Sequence, residues 1–247
     1  MPQTTLNTSN TGSLTVQQGG RAYTITYPNR SITGEHVLKI LKGENYSLPA
    51  PEIFTPHKII DIGANVGAAA ILFHHNYPLA SITCCEPSSE NLPFLRSNLE
   101  QLPNAEILPI ALSNRSRSGR LYHGHLHSLQ HSLHESPEVN TSDFEEIQIV
   151  EAREALASHI IPGTLLKIDT EGSELEILTN LSPLLSHCGA ICLEYHSEKE
   201  RRGIDALLSH THHLLAATSR QVHRGDVTYL SNEIVERLPH VRGLAIS

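Results

Sequence analysis

One stretch, residues 57–72, limits the choice of fold more than any other part of the chain. It reads H-K-I-I-D-I-G-A-N-V-G-A-A-A-I-L: a short apolar run, a turn with glycines at 63 and 67, then residues that favour a helix. Glycine permits a sharp backbone turn and leaves room for a ligand beside the main chain. The pattern predicts a strand, a nucleotide-binding turn and a helix. A similar turn whose glycines serve packing alone is the alternative.

The residues around this turn indicate which kind of nucleotide it would bind. Glu86 follows a second apolar run, 82–85, at the distance typical of a carboxylate that binds the two ribose hydroxyls. Dinucleotide-binding folds place a pyrophosphate over G-x-G-x-x-G, whereas here the turn reads D-x-G-x-x-x-G and includes Asp61. A carboxylate repels phosphate and attracts an ammonium group. The pattern therefore favours a cationic, phosphate-free nucleoside such as S-adenosylmethionine.

Composition and charge argue against several classes of protein. The 247 residues suffice for one α/β domain, which we expect over 51–240 after an N-terminal tail, hairpin and helix cap over 1–50. With 18 Lys and Arg against 26 Asp and Glu, the net charge of −8 argues against non-specific binding to nucleic acid. The sequence has neither a membrane-spanning apolar run nor a signal-peptide pattern. We expect a soluble cytoplasmic protein without nucleic-acid or membrane partners, and leave homodimer formation open.

Strands alternate with helices along most of the chain, which implies parallel strands joined by right-handed crossovers. Residues 1–13 are polar and expected to be disordered, 13–27 predict a hairpin around Gly19 and Gly20, and 34–41 a short amphipathic helix. Five parallel strands are predicted at 58–61, 81–86, 106–112, 165–168 and 190–195, and an antiparallel pair at 212–218 and 227–230 with its turn at 224–226. The predicted class is α/β, with a seven-stranded, mostly parallel sheet, helices on both faces and one antiparallel strand.

The segment 115–143 interrupts this alternation and is rich in histidine. Its histidines include His123, His125, His127, His131 and His134. Alternating histidines can place imidazoles on one face of a strand as a metal site, but no carboxylate or cysteine accompanies them at a recognised spacing. A polar hairpin or loop is the simpler interpretation. Its position after the third strand favours a loop that covers the substrate.

A second informative stretch, 164–178, reads T-L-L-K-I-D-T-E-G-S-E-L-E-I-L. A buried strand ends at Asp169, and Glu171 lies in the following turn, where an open α/β sheet keeps its ligands. Capping of the next helix accounts well for Glu174 but poorly for Asp169. The fifth strand also ends in polar residues, among them His196. The carboxyl edge of the sheet is therefore expected to carry the chemistry.

Several motifs resemble the FkbM family of S-adenosylmethionine-dependent methyltransferases. They are I-D-I-G-A-N-V-G at 60–67, C-E-P-S-S-E-N-L at 85–92, and L-K-I-D-T-E-G-S-E-L-E-I-L at 166–178. The third is the most discriminating, and L-E-Y-H at 193–196 is a weaker fourth element. Together they cover about 34–230. The resemblance implies a class I (Rossmann-like) methyltransferase fold and O-methylation of a hydroxyl on a small molecule or sugar.

In this layout the cofactor contacts the turn after the first strand, the end of the second and the end of the third. The predicted cofactor-binding residues are Asp61, Gly63, Ala64, Asn65, Gly67, Glu86, Pro87, Ala111, Leu112 and Asp169. The resemblance implies that those from Asp61 to Gly67 surround the methionine part and that Glu86 binds the ribose. Ala111 and Leu112 would lie beside the adenine.

Methyl transfer from a sulfonium is an in-line displacement, so alignment alone can supply much of the catalysis. A hydroxyl acceptor must also lose a proton, and histidine is suited to take it near pH 7. We predict His196 as this catalytic base, with Asp169 and Glu171 orienting the acceptor. In one alternative, Asp169 and Glu171 hold Mg²⁺, which lowers the pKa of the acceptor. In another, the protein binds the nucleoside without catalysis.

Overall fold

The computed structural model describes residues 10–30, 32–124, 131–135 and 139–238. Residues 1–9 of the predicted tail lie outside the described residues, as do His125 and His127. The strands are β1 (Thr11–Gln18), β2 (Arg21–Pro28), β3 (Lys58–Ile62), β4 (Ser81–Cys85), β5 (Ala105–Leu108), β6 (Ala111–Ser113), β7 (Arg117–Gly124), β8 (Val139–Glu151), β9 (Thr164–Ile168), β10 (Cys188–Tyr195), β11 (His212–Gln221) and β12 (Arg224–Ser231). The helices are α1 (Thr33–Leu41), α2 (Ala68–Asn76), α3 (Leu92–Leu99), α4 (Ala152–Leu156), α5 (Glu174–Asn180), α6 (Glu198–Leu208) and α7 (Asn232–Arg237), and a 3₁₀ helix spans Ser182–His187.

A seven-stranded sheet at the centre has the order β11-β12-β10-β9-β3-β4-β5. Strands β10, β9, β3, β4 and β5 are parallel, and β12 is antiparallel to both of its neighbours. This confirms the predicted α/β class with one reversed strand. The chain adds β4 and β5 on one side of β3 and β9 and β10 on the other. The strand order thus reverses beside β3, and open α/β sheets bind their ligands at such a point.

Helices cover both faces of this sheet, and each face has its own apolar core. Neighbouring residues of one strand alternate between them, so that Ile59 joins the core beneath α2 and Ile60 the core beneath α5 and α6. Burial on both faces explains why these strands are apolar throughout. None of the helices in the described ranges is both long and apolar enough to cross a lipid bilayer.

The N-terminal hairpin and α1 pack against α2 and α3. The predicted hairpin and helix agree with β1, β2 and α1, although β1 already includes Thr11, in the part expected to be disordered. Asn98 of α3 ties the hairpin to the turn after β3: its amide accepts from Thr26 N at 2.8 Å and donates to the Val66 carbonyl at 2.7 Å. Val37 of α1 is fully buried in the same core as α2. The division of the chain near residue 50 stays a prediction.

The third predicted strand, 106–112, is two strands in two different sheets. β5 ends at Leu108 and pairs with β4, whereas β6 begins at Ala111 and pairs with β8. Pro109 lies between them and has no N–H to continue a ladder. β6, β8 and β7 form a separate three-stranded sheet from much of the segment expected to be a loop.

The predicted turn at 224–226 is also wrong, because β11 continues to Gln221 and β12 begins at Arg224.

Candidate functional site

A cavity of about 460 Å³ opens at the carboxyl ends of the parallel strands. This volume is within the range of roughly 300–1,000 Å³ typical of small-molecule sites. The strand order divides its lining into two halves. The first, beyond β3, β4 and β6, includes 63–66, Glu86, Pro87 and 110–112. The second, beside β9, β10 and the β11–β12 hairpin, includes His36, Lys39, Tyr46, Asp169, Glu171, Glu194, Arg220 and Arg224.

The glycine turn after β3 forms a wall of the first half. The N–H groups of Gly63 and Ala64 both donate to the Cys85 carbonyl at 3.0 Å, and that of Asn65 donates to Glu86 Oε2 at 2.8 Å. The next two N–H groups bond to acceptors inside the turn, each at 2.8 Å. A phosphate cradle needs such groups to be available, and none of these five described groups is left to bind a phosphate.

Gly63 and Gly67 are required by the protein's own backbone and packing. Their φ angles are +76° and +88°, which residues with a side chain rarely adopt. A Cβ on Gly63 would lie 1.8 Å from the Asp169 carbonyl oxygen, and one on Gly67 would lie 3.0 Å from Leu95. The sequence interpretation gave these glycines two roles, a sharp backbone turn and room for a ligand. Their positive φ angles agree with the first role. The Asp169 carbonyl leaves no space for a side chain at Gly63, whereas Leu95 would have to shift to admit one at Gly67.

Asp61, predicted to contact the cofactor, forms an ion pair with a buried lysine. Its Oδ1 lies 2.8 Å from Lys167 Nζ, and the two side chains are 0% and 2% exposed. Burial raises the pKa of Asp61, although the Lys167 ammonium opposes this. Burial alone would lower the pKa of Lys167, but the Asp61 carboxylate outweighs it and the pKa is raised. Lys167 also donates to the Gly63 carbonyl at 2.7 Å, so the ion pair holds the glycine turn in place.

Glu86 is a buried carboxylate at the end of β4. It accepts from the N–H groups of Asn65 at 2.8 Å and Ser88 at 2.9 Å, and from Asn91 Nδ2 at 3.4 Å. Burial raises the pKa of Glu86, while the two main-chain donors act against the rise. Eight predicted cofactor-binding residues line the cavity: Gly63, Ala64, Asn65, Glu86, Pro87, Ala111, Leu112 and Asp169. Asp61 and Gly67 are not among the lining residues that the structure describes.

Three carboxylates form a row where β9, β10 and β12 lie side by side. Glu194 of β10 is paired in register with Asp226 of β12. The pairing between β10 and β9 ends one residue before Glu194 and Asp169, so these two carboxylates also follow each other across the sheet. Tyr46, from the segment after α1, donates its hydroxyl to Asp169 Oδ2 at 2.7 Å. This bond attaches the N-terminal part of the chain to the second half of the cavity.

Two arginines of the β11–β12 hairpin balance this row. Arg220 donates from Nε to Asp226 Oδ2 at 2.7 Å and from Nη1 to Glu194 Oε2 at 3.4 Å. Arg224 pairs with Glu171, and its Nε lies 3.7 Å from Glu194 Oε1. Burial is the main cause that raises the pKa of Glu194 to about 8 and that of Asp226 to about 7, with Arg220 acting against both rises.

His196 lies behind Glu171 and is not among the described residues that line the cavity. Its Nε2 is 3.1 Å from Glu171 Oε2, and its Nδ1 is 3.4 Å from Glu174 Oε2. Burial would lower the pKa of His196, but these two carboxylates outweigh it and raise the pKa to about 12. A histidine that is already protonated cannot take a further proton, and His196 reaches the lining of the cavity through its pairing with Glu171. The role of His196 as the base stays a prediction.

The predicted divalent-cation site does bring its groups together. Asp169 and Glu171, the two predicted ligands, each offer an atom within 4.8 Å of the other, and His196, which was not predicted as a ligand, offers a third. Mg²⁺ prefers oxygen ligands, whereas here Glu171 is already paired with Arg224 and His196 is held as a cation. The donor set does not fit Mg²⁺, and we assign it no metal.

The histidine-rich segment lies against the cavity through His131. The ring nitrogen Nδ1 of His131 accepts from Gly124 N at 3.1 Å, and Nε2 lies 3.2 Å from Glu90. His123 Nδ1 lies 2.9 Å from Asp143. Each of these two carboxylates lies at ion-pair distance from one histidine ring nitrogen. Neither stands at a recognised metal-site spacing in the sequence, and the metal alternative for this segment stays untested.

Sequence reasoning missed Tyr46, Lys167, Arg220 and Arg224 as residues of the site. Lys167 had a signal, because a charged residue inside an otherwise apolar strand needs a buried partner. Tyr46 and the arginines lie in stretches where local pattern gives no such signal. The turn that separates Arg220 from Arg224 was also placed two residues too late.

Comparison with known proteins agrees with this geometry. A model of the FkbM methyltransferase domain matches residues 61–224. The hexuronic acid methyltransferase AglP of Haloferax volcanii is 24% identical over 150 residues. The aligned region covers 60% of this chain and only 60% of the length of that curated relative.

Two archaeal fibrillarins share the fold. That of Methanococcus jannaschii has a TM-score of 0.51 and 8% identity, over 89% of this chain and 82% of the other. That of Aeropyrum pernix, solved with natively bound S-adenosylmethionine, has a TM-score of 0.50 and 11% identity, and the match covers 89% of this chain and 83% of the other. Such low identities show the fold alone, which is that of class I methyltransferases. With the domain match over more than half of its length, the chain belongs to the FkbM methyltransferase family.

Proposed function

We propose that this protein transfers the methyl group of S-adenosylmethionine to a hydroxyl of a sugar or a similar small molecule. The glycine turn carries this proposal. All five of its N–H groups are bonded to protein acceptors, while buried or half-buried carboxylates, Glu86 and Asp169, line the cavity on either side. Such a lining suits a cationic nucleoside and disfavours a phosphorylated one.

The first half of the cavity would hold the cofactor. Glu86 is placed to accept from a ribose hydroxyl, because a carboxylate has about four lone-pair positions and three protein donors reach this one, which leaves about one position. Pro87, Ala111 and Leu112 offer an apolar surface for the adenine. Asp169 would face the ammonium of the methionine part. When bound, S-adenosylmethionine supplies a methyl group on a sulfonium, an electrophile that needs no further activation.

The second half would hold the acceptor. Carboxylates accept and guanidinium groups donate, so a wall that contains Asp169, Glu171, Glu194, Arg220 and Arg224 can bond a molecule with several hydroxyls. In this proposal Asp169 and Glu171 orient the acceptor. The relative named as a hexuronic acid methyltransferase supports a sugar. Because the chain spans only part of that relative, the acceptor is the first property to test.

Calorimetry with S-adenosylmethionine, S-adenosylhomocysteine, NAD and ATP tests the cofactor. We expect the first two to bind and the others not to, and binding of NAD or ATP alone would reject the proposal. Incubation with S-adenosylmethionine and a panel of neutral sugars, uronic acids and small alcohols, read by mass spectrometry, tests the acceptor. Cofactor binding without product from any acceptor would favour a non-catalytic nucleoside-binding protein.

Several other sequence expectations belong to the same experiments. An RNA oligonucleotide in the acceptor panel tests whether nucleic acid is excluded. EDTA tests the Mg²⁺ alternative, and we expect an unchanged rate. Light scattering of the purified protein tests whether it forms a homodimer, which the sequence leaves open, and fractionation of cells tests a cytoplasmic location. These expectations stay predictions.

A further inference from the structure

We propose that Glu194 is the general base that takes the proton from the acceptor hydroxyl. This inference rests on the proposed methyl transfer and assigns to Glu194 the role that sequence reasoning gave to His196. Glu194 ends β10, is 8% exposed and lines the cavity. It touches the space that the acceptor would occupy, so it would be a catalytic residue and not a positioning one.

The position of Glu194 follows from the order of the strands. Gly63 of the cofactor half is packed against the main chain of Asp169, whose carbonyl oxygen excludes a side chain from Gly63. Glu194 is the next residue along the same row, one strand further from the glycine turn. A hydroxyl placed between the cofactor half and the β11–β12 hairpin would therefore meet Glu194.

Glu194 is also the carboxylate with the weakest existing contacts. Its Oε2 accepts from Arg220 at 3.4 Å, and its Oε1 is 3.7 Å from both Arg224 Nε and His196 Nε2. The other carboxylates of this half have closer partners in the described part of the chain. Asp169 accepts from Tyr46 at 2.7 Å, Glu171 pairs with Arg224, and Asp226 is held by two bonds from Arg220. The contacts of Glu194 are thus longer than those of the other three carboxylates, so its oxygens are the least tightly held.

The electrostatic surroundings suit a base that works near neutral pH. Burial raises the pKa of Glu194 to about 8, the neighbouring Asp169 carboxylate raises it further, and Arg220 opposes the rise. A catalytic base is most effective when its pKa lies near the working pH. The charged or titratable groups that face Glu194 are Tyr46, Asp169, Glu171, His196, Arg220, Arg224 and Asp226.

The proposed step balances in atoms and in charge. The acceptor oxygen forms a bond to the methyl carbon while its O–H bond breaks and the proton passes to a carboxylate oxygen of Glu194. The electron pair of the carbon–sulfur bond stays on sulfur. One positive and one negative charge disappear together, so the net charge of the buried site does not change. Water then takes the proton from Glu194 as the product leaves.

Glu194→Gln is the direct test, since it keeps the shape of the side chain and removes the base. We expect kcat to fall roughly 10²- to 10⁴-fold, while calorimetry shows unchanged affinity for S-adenosylmethionine. In the wild type kcat/KM for the acceptor should rise with pH as Glu194 loses its proton, and this rise should be absent from the variant. Glu233→Gln, on the exposed helix α7, is the matched control and should keep wild-type values.

A measurement that does not depend on turnover shows directly whether Glu194 titrates in the expected pH range. Carbon-13 NMR of side-chain carboxyls in the cofactor-free protein should show a resonance that titrates near pH 8 and is missing from Glu194→Gln. If that variant does not fold, Glu194→Asp serves instead, and it should keep the rise with pH at a reduced rate.

A loss of less than about tenfold with cofactor binding intact, or an unchanged pH profile, would overturn the assignment of Glu194. Failure of the wild-type protein to methylate any acceptor would count against the proposed function itself.

Discussion

Replacement of Lys167 by methionine tests how the glycine turn is held. The variant keeps most of the side-chain volume but leaves the Asp61 carboxylate, 0% exposed, without the ammonium that lies 2.8 Å away. Breaking a buried ion pair from one side costs about 3–5 kcal/mol, and the Gly63 carbonyl also loses its donor. We expect the free energy of unfolding, measured by urea denaturation at about pH 8, to fall by about 4 kcal/mol.

The pH dependence of this loss has a definite sign. In Lys167→Met the ammonium that opposes the rise is gone, so burial and the Asp169 carboxylate hold the pKa of Asp61 above its unfolded value. A raised carboxyl pKa costs nothing below the unfolded pKa and costs most above the folded one. The deficit relative to wild type should therefore grow as the pH rises above the unfolded value of 3.8, by at most about 1.4 kcal/mol per pH unit.

The double variant Asp61→Asn/Lys167→Met is the control for this prediction. It removes both charges, so it should recover at least half of the lost stability, because neutral groups of similar shape can replace a buried pair. A loss below about 1 kcal/mol in Lys167→Met, or a double variant as unstable as the single one, would refute the view that the ion pair holds the turn.

Three further predictions follow from the same contacts. Gly63→Ala should lower the free energy of unfolding by roughly 3 kcal/mol or more, whereas Gly20→Ala, at a similar φ of +80° with nothing within 4 Å, should cost only about 1 kcal/mol; urea denaturation measures both. Glu86→Gln should weaken the binding of S-adenosylmethionine roughly 10- to 100-fold by calorimetry, since bonds to a charged group contribute about 1.5–3 kcal/mol. His196→Gln should destabilise the protein most near pH 6 and less near pH 9, because a histidine pKa raised to about 12 stabilises fully below its unfolded value of 6.5 and progressively less above it. A difference from wild type that does not narrow with pH would reject this role for His196.

The parts of the site that depend on neighbouring residues in sequence were predictable. The apolar run before Asp61, the glycines after it and the spacing to Glu86 predicted a strand, a turn and a helix, and the structure confirms these elements. Alternation of strands and helices predicted the sheet for the same reason, since hydrophobic periodicity is a local signal.

The parts that depend on register between distant strands were not predictable. Asp61 pairs with Lys167 because β3 and β9 lie side by side, and no local pattern states which strands are neighbours. The sequence assigned Asp61 to a ligand's ammonium, which stays a prediction, but it could not show that Lys167 also lies beside this carboxylate. His196 was proposed as a base from its position after a strand, but its protonation depends on two carboxylates brought in by the turn after β9.

Strand β12 is the last strand along the described residues, yet it lies between β10 and β11. A fragment cut to the family match, 61–224, would lose this strand and leave the edge of β10 bare, and bare edges invite aggregation. It would also lose Tyr46 and most of β3. A fragment with those limits should therefore be insoluble when it is expressed.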